Sequence, residues 1–276
     1  MNIKKTLLSF TLVSTLLIGI TGCASTNQAE KSSDTKKSET VLKIGATPLP
    51  HEEILEFAKP LLEKEGIKLE IQEFTDYVTP NLAVNDGQLD ANFFQHVPYM
   101  DDFNKNNKTD VVSIGKVHLE PLGAYSLKLK SIDEIANNSI VGIPNDATNE
   151  GRALLLLQSK GLIKLKDDSL SQTPRDIVEN PKNLEFKEVE AAQLPRILQD
   201  VSFAIINTNY ALEANLDPLK STLFLEGADS PYANVISVKK GNEDKAEFKT
   251  LIKVLNSKEV KDFINEKYKG AVVPAF

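Results

Sequence analysis

The sequence predicts an α/β fold of two lobes, joined by two chain crossings and enclosing a cleft. Three observations carry this expectation. Short β-branched runs alternate with helix-period stretches from Val41 onward, the arrangement of parallel βαβ units. The body from Val41 to Phe276 is long enough for two separate cores. A Pro-containing segment at 228–232 is followed by one more strand-like run, which can return the chain to the lobe where it began.

The elements follow in order. VLKIGAT (41–47) and IKLEIQEF (67–74) read as strands around a helix over 52–66. LDANFF (89–94) is a strand, 98–107 a polar helix and VVSIGKV (111–117) a strand, after which the first lobe ends near His118. A second series opens with the strand LGAYSLKL (122–129), then SIDEIAN, the strand SIVGIP (139–144) and a helix from about Asn149 that stops at Gly161. Leu154 to Leu157, four leucines in a row, imply that this helix is buried on most sides. A connection rich in Pro and Asn (171–183) leads to the strand 183–190, a helix over 193–200, the strand 202–207, a helix from Tyr210 to Asn215 and the strand TLFLEG (222–227). NVISVKK (234–240) is the returning strand, and two helical segments close the chain. The expected division is 41–120 with 232–276 for lobe 1 and 121–231 for lobe 2.

The N-terminus has a separate purpose. Lys4 and Lys5 precede an apolar run, Leu7 to Ile20, which ends in Ile20-Thr21-Gly22-Cys23. This is a signal peptide (1–22) with a lipobox, and its apolar stretch is too short to span about 30 Å of hydrocarbon. Cys23 is the only cysteine, so an exported chain has no partner for a disulfide, and lipidation by acyl chains such as palmitate gives the thiol a use. Residues 23–40 carry no aromatic or large aliphatic side chain before Thr40 and read as a disordered tether. The expected location is the extracytoplasmic face of a bacterial cell membrane.

Composition narrows the function classes. The formal net charge is −7 and no basic stripe is present, which argues against nucleic acid. There is no G-x-S-x-G elbow, P-loop or H-E-x-x-H, and the sole cysteine serves the anchor, so neither an enzyme nor a cofactor is expected. His51, His96 and His118, with Glu120 beside the last, are the available metal donors, but their spacing matches no compact metal motif and no metal is expected.

Two clusters look suited to a ligand. In IPNDATNEGRALLLLQSKG (143–161) a strand runs into a helix whose first turns hold Asn149 and Arg152. A helix start favours an anion, and a guanidinium fork can grip a carboxylate with two hydrogen bonds. In LDANFFQHVPYM (89–100), Phe93, Phe94, His96 and Tyr99 gather at another strand end, with Tyr77 upstream. Alternation lets only one of Phe93 and Phe94 face a given side. Aromatic rings also make favourable contacts with a thioether sulfur.

Along its body the sequence resembles the methionine-binding lipoproteins of ABC importers, the NlpA family. The resemblance rests on DANFFQHVPY, PNDATNEGRALLLLQ, VENPKNLEFKEVEAAQLPRIL, IINTNYA, SPYANVI and the closing GAVVPAF. It implies a two-lobed periplasmic-binding-protein fold of type II. It also implies that Arg152 holds a ligand carboxylate, that Asn207 and Asn234 hold the ligand's polar end, and that Tyr77, Phe94, His96 and Tyr99 enclose a thioether. Asn149 joins this set from the helix start, and Glu120 is the candidate for the ligand's ammonium. The implied ligand is L-methionine, handed to a membrane permease that an ATPase drives. A methionine dipeptide, D-methionine, another amino acid or, in a different class, a surface antigen with an incidental cleft are the alternatives.

Overall fold

The computed structural model describes residues 40–227 and 230–276. The segments expected to be a signal peptide (1–22) and, apart from Thr40, a lipidated tether (23–40), with Cys23, lie outside the described residues. No helix among the described residues is long and apolar enough to cross a membrane.

The strands are β1 (Thr40–Ala46), β2 (Ile67–Glu73), β3 (Ala91–His96), β4 (Val111–Leu119), β5 (Gly123–Tyr125), β6 (Ile140–Pro144), β7 (Lys164–Leu165), β8 (Ile177–Glu179), β9 (Glu185–Val189), β10 (Phe203–Ile206), β11 (Thr222–Leu225), β12 (Asn234–Lys239) and β13 (Val273–Pro274). The α-helices are α1 (Glu53–Lys64), α2 (Thr79–Asn85), α3 (Val97–Asn107), α4 (Ala147–Ser159), α5 (Thr208–Glu213), α6 (Ala246–Leu255) and α7 (Lys258–Tyr268).

Two sheets carry two lobes. The first has the order β13-β4-β12-β3-β1-β2 and the second β11-β5-β10-β6-β9. Both are mixed. β1 runs parallel to β2 and β3, whereas the returning β12 lies antiparallel between β3 and β4. In the second sheet β6 is parallel to β9 and β10, and β5 is antiparallel to β10 and β11. The chain therefore passes between lobes after β4 and again after β11.

Each lobe has its own core. Ile44, Leu55, Leu62, Phe93, Ile236, Leu251 and Ile264 pack in the first, and Leu122, Ile143, Leu154, Leu157, Phe203 and Ile205 in the second. Leu154 and Leu157 are completely buried, each contributing about 1.5–3 kcal/mol by removal from water. α4 also packs against a loop so closely that a Cβ on Gly151 would sit 2.2 Å from the Leu170 carbonyl oxygen, which restricts that position to glycine.

The structure departs from the sequence expectation in several places, each with a local cause. β3 begins two residues later than expected, the N–H groups of Gln88 and Leu89 being bonded to the Ala83 carbonyl in the turn that closes α2. β5 ends at Tyr125 because the Ser126 hydroxyl accepts from the backbone N–H groups of Lys128 and Leu129 and turns the chain. In place of an α-helix over 193–200 there is a 3-10 helix at Ala191–Ile197, with Pro195 inside it lacking the N–H that an α-helix needs. α2 was unexpected; Pro80 sits in its first turn, and Asp76 accepts from the N–H groups of Val78 and Thr79 just ahead of it. Within 171–183, β8 pairs with β7 in a two-stranded ribbon.

Candidate functional site

Register brings the first lobe's contribution together. Asn234, the first residue of β12, pairs with His96 at the end of β3 and with His118 near the end of β4. His96 also caps the N-terminus of α3, its Nδ1 accepting from the Tyr99 N–H at 3.1 Å. That bond makes Nε2 the protonated nitrogen, which points to Asn149 Oδ1 at 3.3 Å. Burial, followed by the Arg152 charge, lowers the His96 pKa to about 3, so the ring is neutral at pH 7.

The second lobe presents the start of α4 and the residues after β10. Asp146 caps α4 through the Asn149 N–H and fixes the Asn149 amide, whose Nδ2 donates to both carboxylate oxygens. Asn207 then donates to Asn149 Oδ1 at 2.8 Å. Asn207 Oδ1 and Asn209 Nδ2 are buried without a hydrogen-bond partner among the described residues, one an acceptor and the other a donor.

All nine candidate ligand residues line one cavity between these groups. Tyr77, Phe94, His96, Tyr99, Glu120 and Asn234 come from the first lobe and its crossing, and Asn149, Arg152 and Asn207 from the second lobe. Gln95, Thr208 and Asn209 complete the lining. About 340 Å³ is free of protein atoms, part of it open to solvent. The site is thus a narrow slot at the small end of ligand pockets.

The slot has two chemically different ends. At one, Phe94 and Tyr99 form a buried cluster with Tyr77 against it. The Tyr77 ring lies 5.7 Å from the rings of Phe94 and Tyr99 and 5.0 Å from that of Tyr210, which belongs to α5. Phe93, next to Phe94 on β3, points instead into the first lobe's core.

The other end is polar and charged. His118 Nε2 is 2.7 Å and His51 Nε2 3.2 Å from the same Glu120 oxygen, and His51 also reaches Asn234 Oδ1 at 3.1 Å and Thr47 Oγ1 at 2.7 Å. Burial lowers the pKa of His51 to about 4 and that of His118 to about 3, so both are neutral donors at pH 7. Burial pushes the Glu120 carboxyl up, and His51 and Arg152 pull it back down. His51, His118 and Glu120 offer three ligand atoms within 4.8 Å of one another, a grouping that their spacing in the sequence concealed. Two neutral imidazoles donating to one carboxylate account for those distances.

Arg152 differs from the sequence expectation. Its fork is not open: Nε donates to Glu226 Oε1 at 3.1 Å, and Nη2 donates to Glu226 Oε2 and, at 2.7 Å, to the Glu120 carbonyl. Glu226 was missed in the sequence because a single acid at a strand end carries no signal. Asn209 was legible in the N-T-N spacing of IINTNYA, which puts a second amide two residues after Asn207.

Comparison with known proteins agrees with this architecture. The sequence profile described as "NlpA lipoprotein" matches residues 42–276. The "D-methionine-binding lipoprotein MetQ" of Salmonella typhi is 43% identical over 261 residues, covering 93% of this chain and 94% of that one. The "Methionine-binding lipoprotein MetQ" of Bacillus subtilis (strain 168) is 41% identical over 258 residues, covering 91% and 92%. Among solved structures, a nutrient binding protein from Burkholderia cenocepacia bound to methionine superposes with a TM-score of 0.83 at 45% identity, covering 85% of this chain and 100% of that one.

Proposed function

The chain belongs to the NlpA lipoprotein family, and from that premise we propose that it is the substrate-binding lipoprotein of an ABC importer, capturing L-methionine in the slot between its lobes. One observation carries the reading: a single narrow cavity joins an aromatic end to a polar end that holds both signs of charge. A zwitterion taken out of water needs partners for both charges, whereas a thioether needs only a shaped apolar slot.

The roles follow from chemistry. Arg152 Nη1, the guanidinium nitrogen not committed to Glu226 or Glu120, donates to a ligand carboxyl oxygen. Glu120 and the unpartnered Asn207 Oδ1 receive the ammonium. Asn149 and Asn234 fix the polar end, while Tyr77, Phe94, His96 and Tyr99 enclose the side chain. Residues 41–120 with 232–276 then act as one lobe and 121–231 as the other. Cys23 carries the lipid that holds the protein at the outer face of the membrane, beside a permease and, through it, an ATPase. The site binds and releases its ligand without chemical change.

A methionine dipeptide is the second reading. It is favoured by an adjoining cavity that shares Tyr77 and Tyr99 with the slot. Thermal unfolding of the full-length protein in detergent, against the twenty amino acids, D-methionine and methionine dipeptides, separates these. L-Methionine at 100 times its dissociation constant adds about 2.7 kcal/mol of stability and raises the melting temperature. A shift with dipeptides alone moves the ligand, and no shift with any of them rejects the reading.

A further inference from the structure

The carboxylate that already occupies Arg152 has a consequence for which ligands the slot accepts. Glu226 is held on both sides: it takes Nε and Nη2 of Arg152, accepts from the Leu122 N–H at 3.2 Å, and has the Ser230 hydroxyl at 3.5 Å. Arg152 is 3% exposed by its side chain and Glu226 15%, so this is a largely desolvated pair with two parallel hydrogen bonds. Such a pair is close to neutral when seen from the slot. Arg152 is also seated with its Cζ 4.4 Å from the centre of the Tyr232 ring, which fixes the plane of the guanidinium.

The remaining charges in the slot are few. His51, His96 and His118 are buried and neutral, and Glu120 is the acid that two of them address. With Glu120 ionised, a ligand bearing one ammonium and no carboxylate charge leaves the buried group neutral overall. The carboxylate of a zwitterion meets a hydrogen bond from Arg152 Nη1 but no unshared positive charge, because Nε and Nη2 are already taken by Glu226. Arg152 Nη1 can donate equally to a carboxylate or to the carbonyl oxygen of an amide.

We propose that Glu226 sets the charge preference of this site: by neutralising Arg152 it makes the free α-amine the required charge of the ligand and the α-carboxylate charge dispensable, so that α-amides of the same amino acid are also ligands. The proposal rests on the methionine reading above. Specificity of this kind arises from a repulsive or cancelling element as much as from an attractive one.

Isothermal titration of the full-length protein in detergent at pH 6.5, where an α-amine is protonated, tests it. The probes are L-methionine, L-methioninamide and N-acetyl-L-methionine. The wild-type protein is expected to bind methioninamide within tenfold of methionine and N-acetylmethionine at least a hundredfold more weakly. Glu226→Gln uncovers the Arg152 charge and is expected to raise the ratio of amide to methionine dissociation constants at least tenfold, while Glu226→Asp keeps the wild-type ratio. Because the ratio is taken within one protein, it is insensitive to loss of folded material. A wild-type penalty for the amide beyond tenfold, or a ratio unmoved by Glu226→Gln, overturns the proposal. Failure of the wild-type protein to bind methionine at all overturns the methionine reading and this inference with it.

Discussion

The Tyr77 hydroxyl donates to Asn209 Oδ1 across the cleft at 2.6 Å, tying the first lobe to the second without passing through a crossing. Tyr210 reinforces the tie, its hydroxyl reaching the Thr75 carbonyl at 3.3 Å and its ring lying beside that of Tyr77. Tyr77→Phe retains the ring and removes the bond. It is expected to weaken methionine binding by about 1–3 kcal/mol, roughly five- to 150-fold, mostly as faster release. Stopped-flow dissociation measures this, and an unchanged release rate would mean that closure does not depend on the bond.

Arg152→Ala and Asn234→Ala are both expected to abolish methionine binding in calorimetry, but their effects on the fold differ. Among the described residues, removing Arg152 leaves the Glu226 carboxylate paired only with the Leu122 N–H and the Ser230 hydroxyl. Breaking a buried ion pair in this way costs about 3–5 kcal/mol, so the melting temperature should drop markedly. Asn234→Ala loses a side-chain bond to His51 and should lower stability by about 1 kcal/mol. Equal melting temperatures for the two variants would contradict the Arg152–Glu226 pair.

The buried imidazoles give the protein an acid limit. His118 is lowered to about 3 by burial, and His51 to about 4, chiefly by burial. Between those values and the ordinary 6.5 the unfolded chain binds protons that the folded protein refuses, so stability falls as the pH drops through that window. His118→Gln keeps an N–H near the position of Nε2 and cannot titrate. Proton uptake on unfolding at pH 5 should therefore decrease by about one, read from the pH dependence of the denaturation midpoint; an identical pH dependence would argue that His118 is not buried neutral.

Glu213 acts in the opposite direction. Burial first, then the carboxylates of Glu73 and Glu120, push its carboxyl up to about 7. The folded protein keeps a proton there that the unfolded chain releases above about 4.5, so stability falls as the pH rises from 4.5 to 7. Glu213→Gln is expected to raise the melting temperature at pH 8 and leave it little changed at pH 4.5. A gain of the same size at both pH values would show that packing, not charge, is responsible.

Much of the fold was legible because local pattern and burial agree. Ile44 and Phe93 sit in the core as alternation requires, and the leucine run 154–157 lies against the second sheet as its all-round hydrophobicity predicts. What the sequence concealed was mostly non-local. The meeting of His51, His118 and Glu120 depends on β12 lying between β3 and β4, and no spacing rule anticipates it. The Arg152–Glu226 pair is likewise non-local, its partners standing 74 residues apart in the chain. Local misses had local causes, as Pro195 and Ser126 show, and those signals were present in the chain.

The insertion of β12 into the middle of the first sheet also orders events during biosynthesis. The second sheet draws all its strands from a continuous stretch, Gly123 to Leu225, and can be completed while the rest of the chain is still being made or exported. The first sheet has a gap between β3 and β4 until residues 234–239 arrive, and its edges stay unpaired until then. The lobe that begins first in the sequence is therefore the last to be finished, and a chain truncated before Asn234 would retain eight of the nine residues proposed to hold the ligand while lacking the strand that brings them into one place.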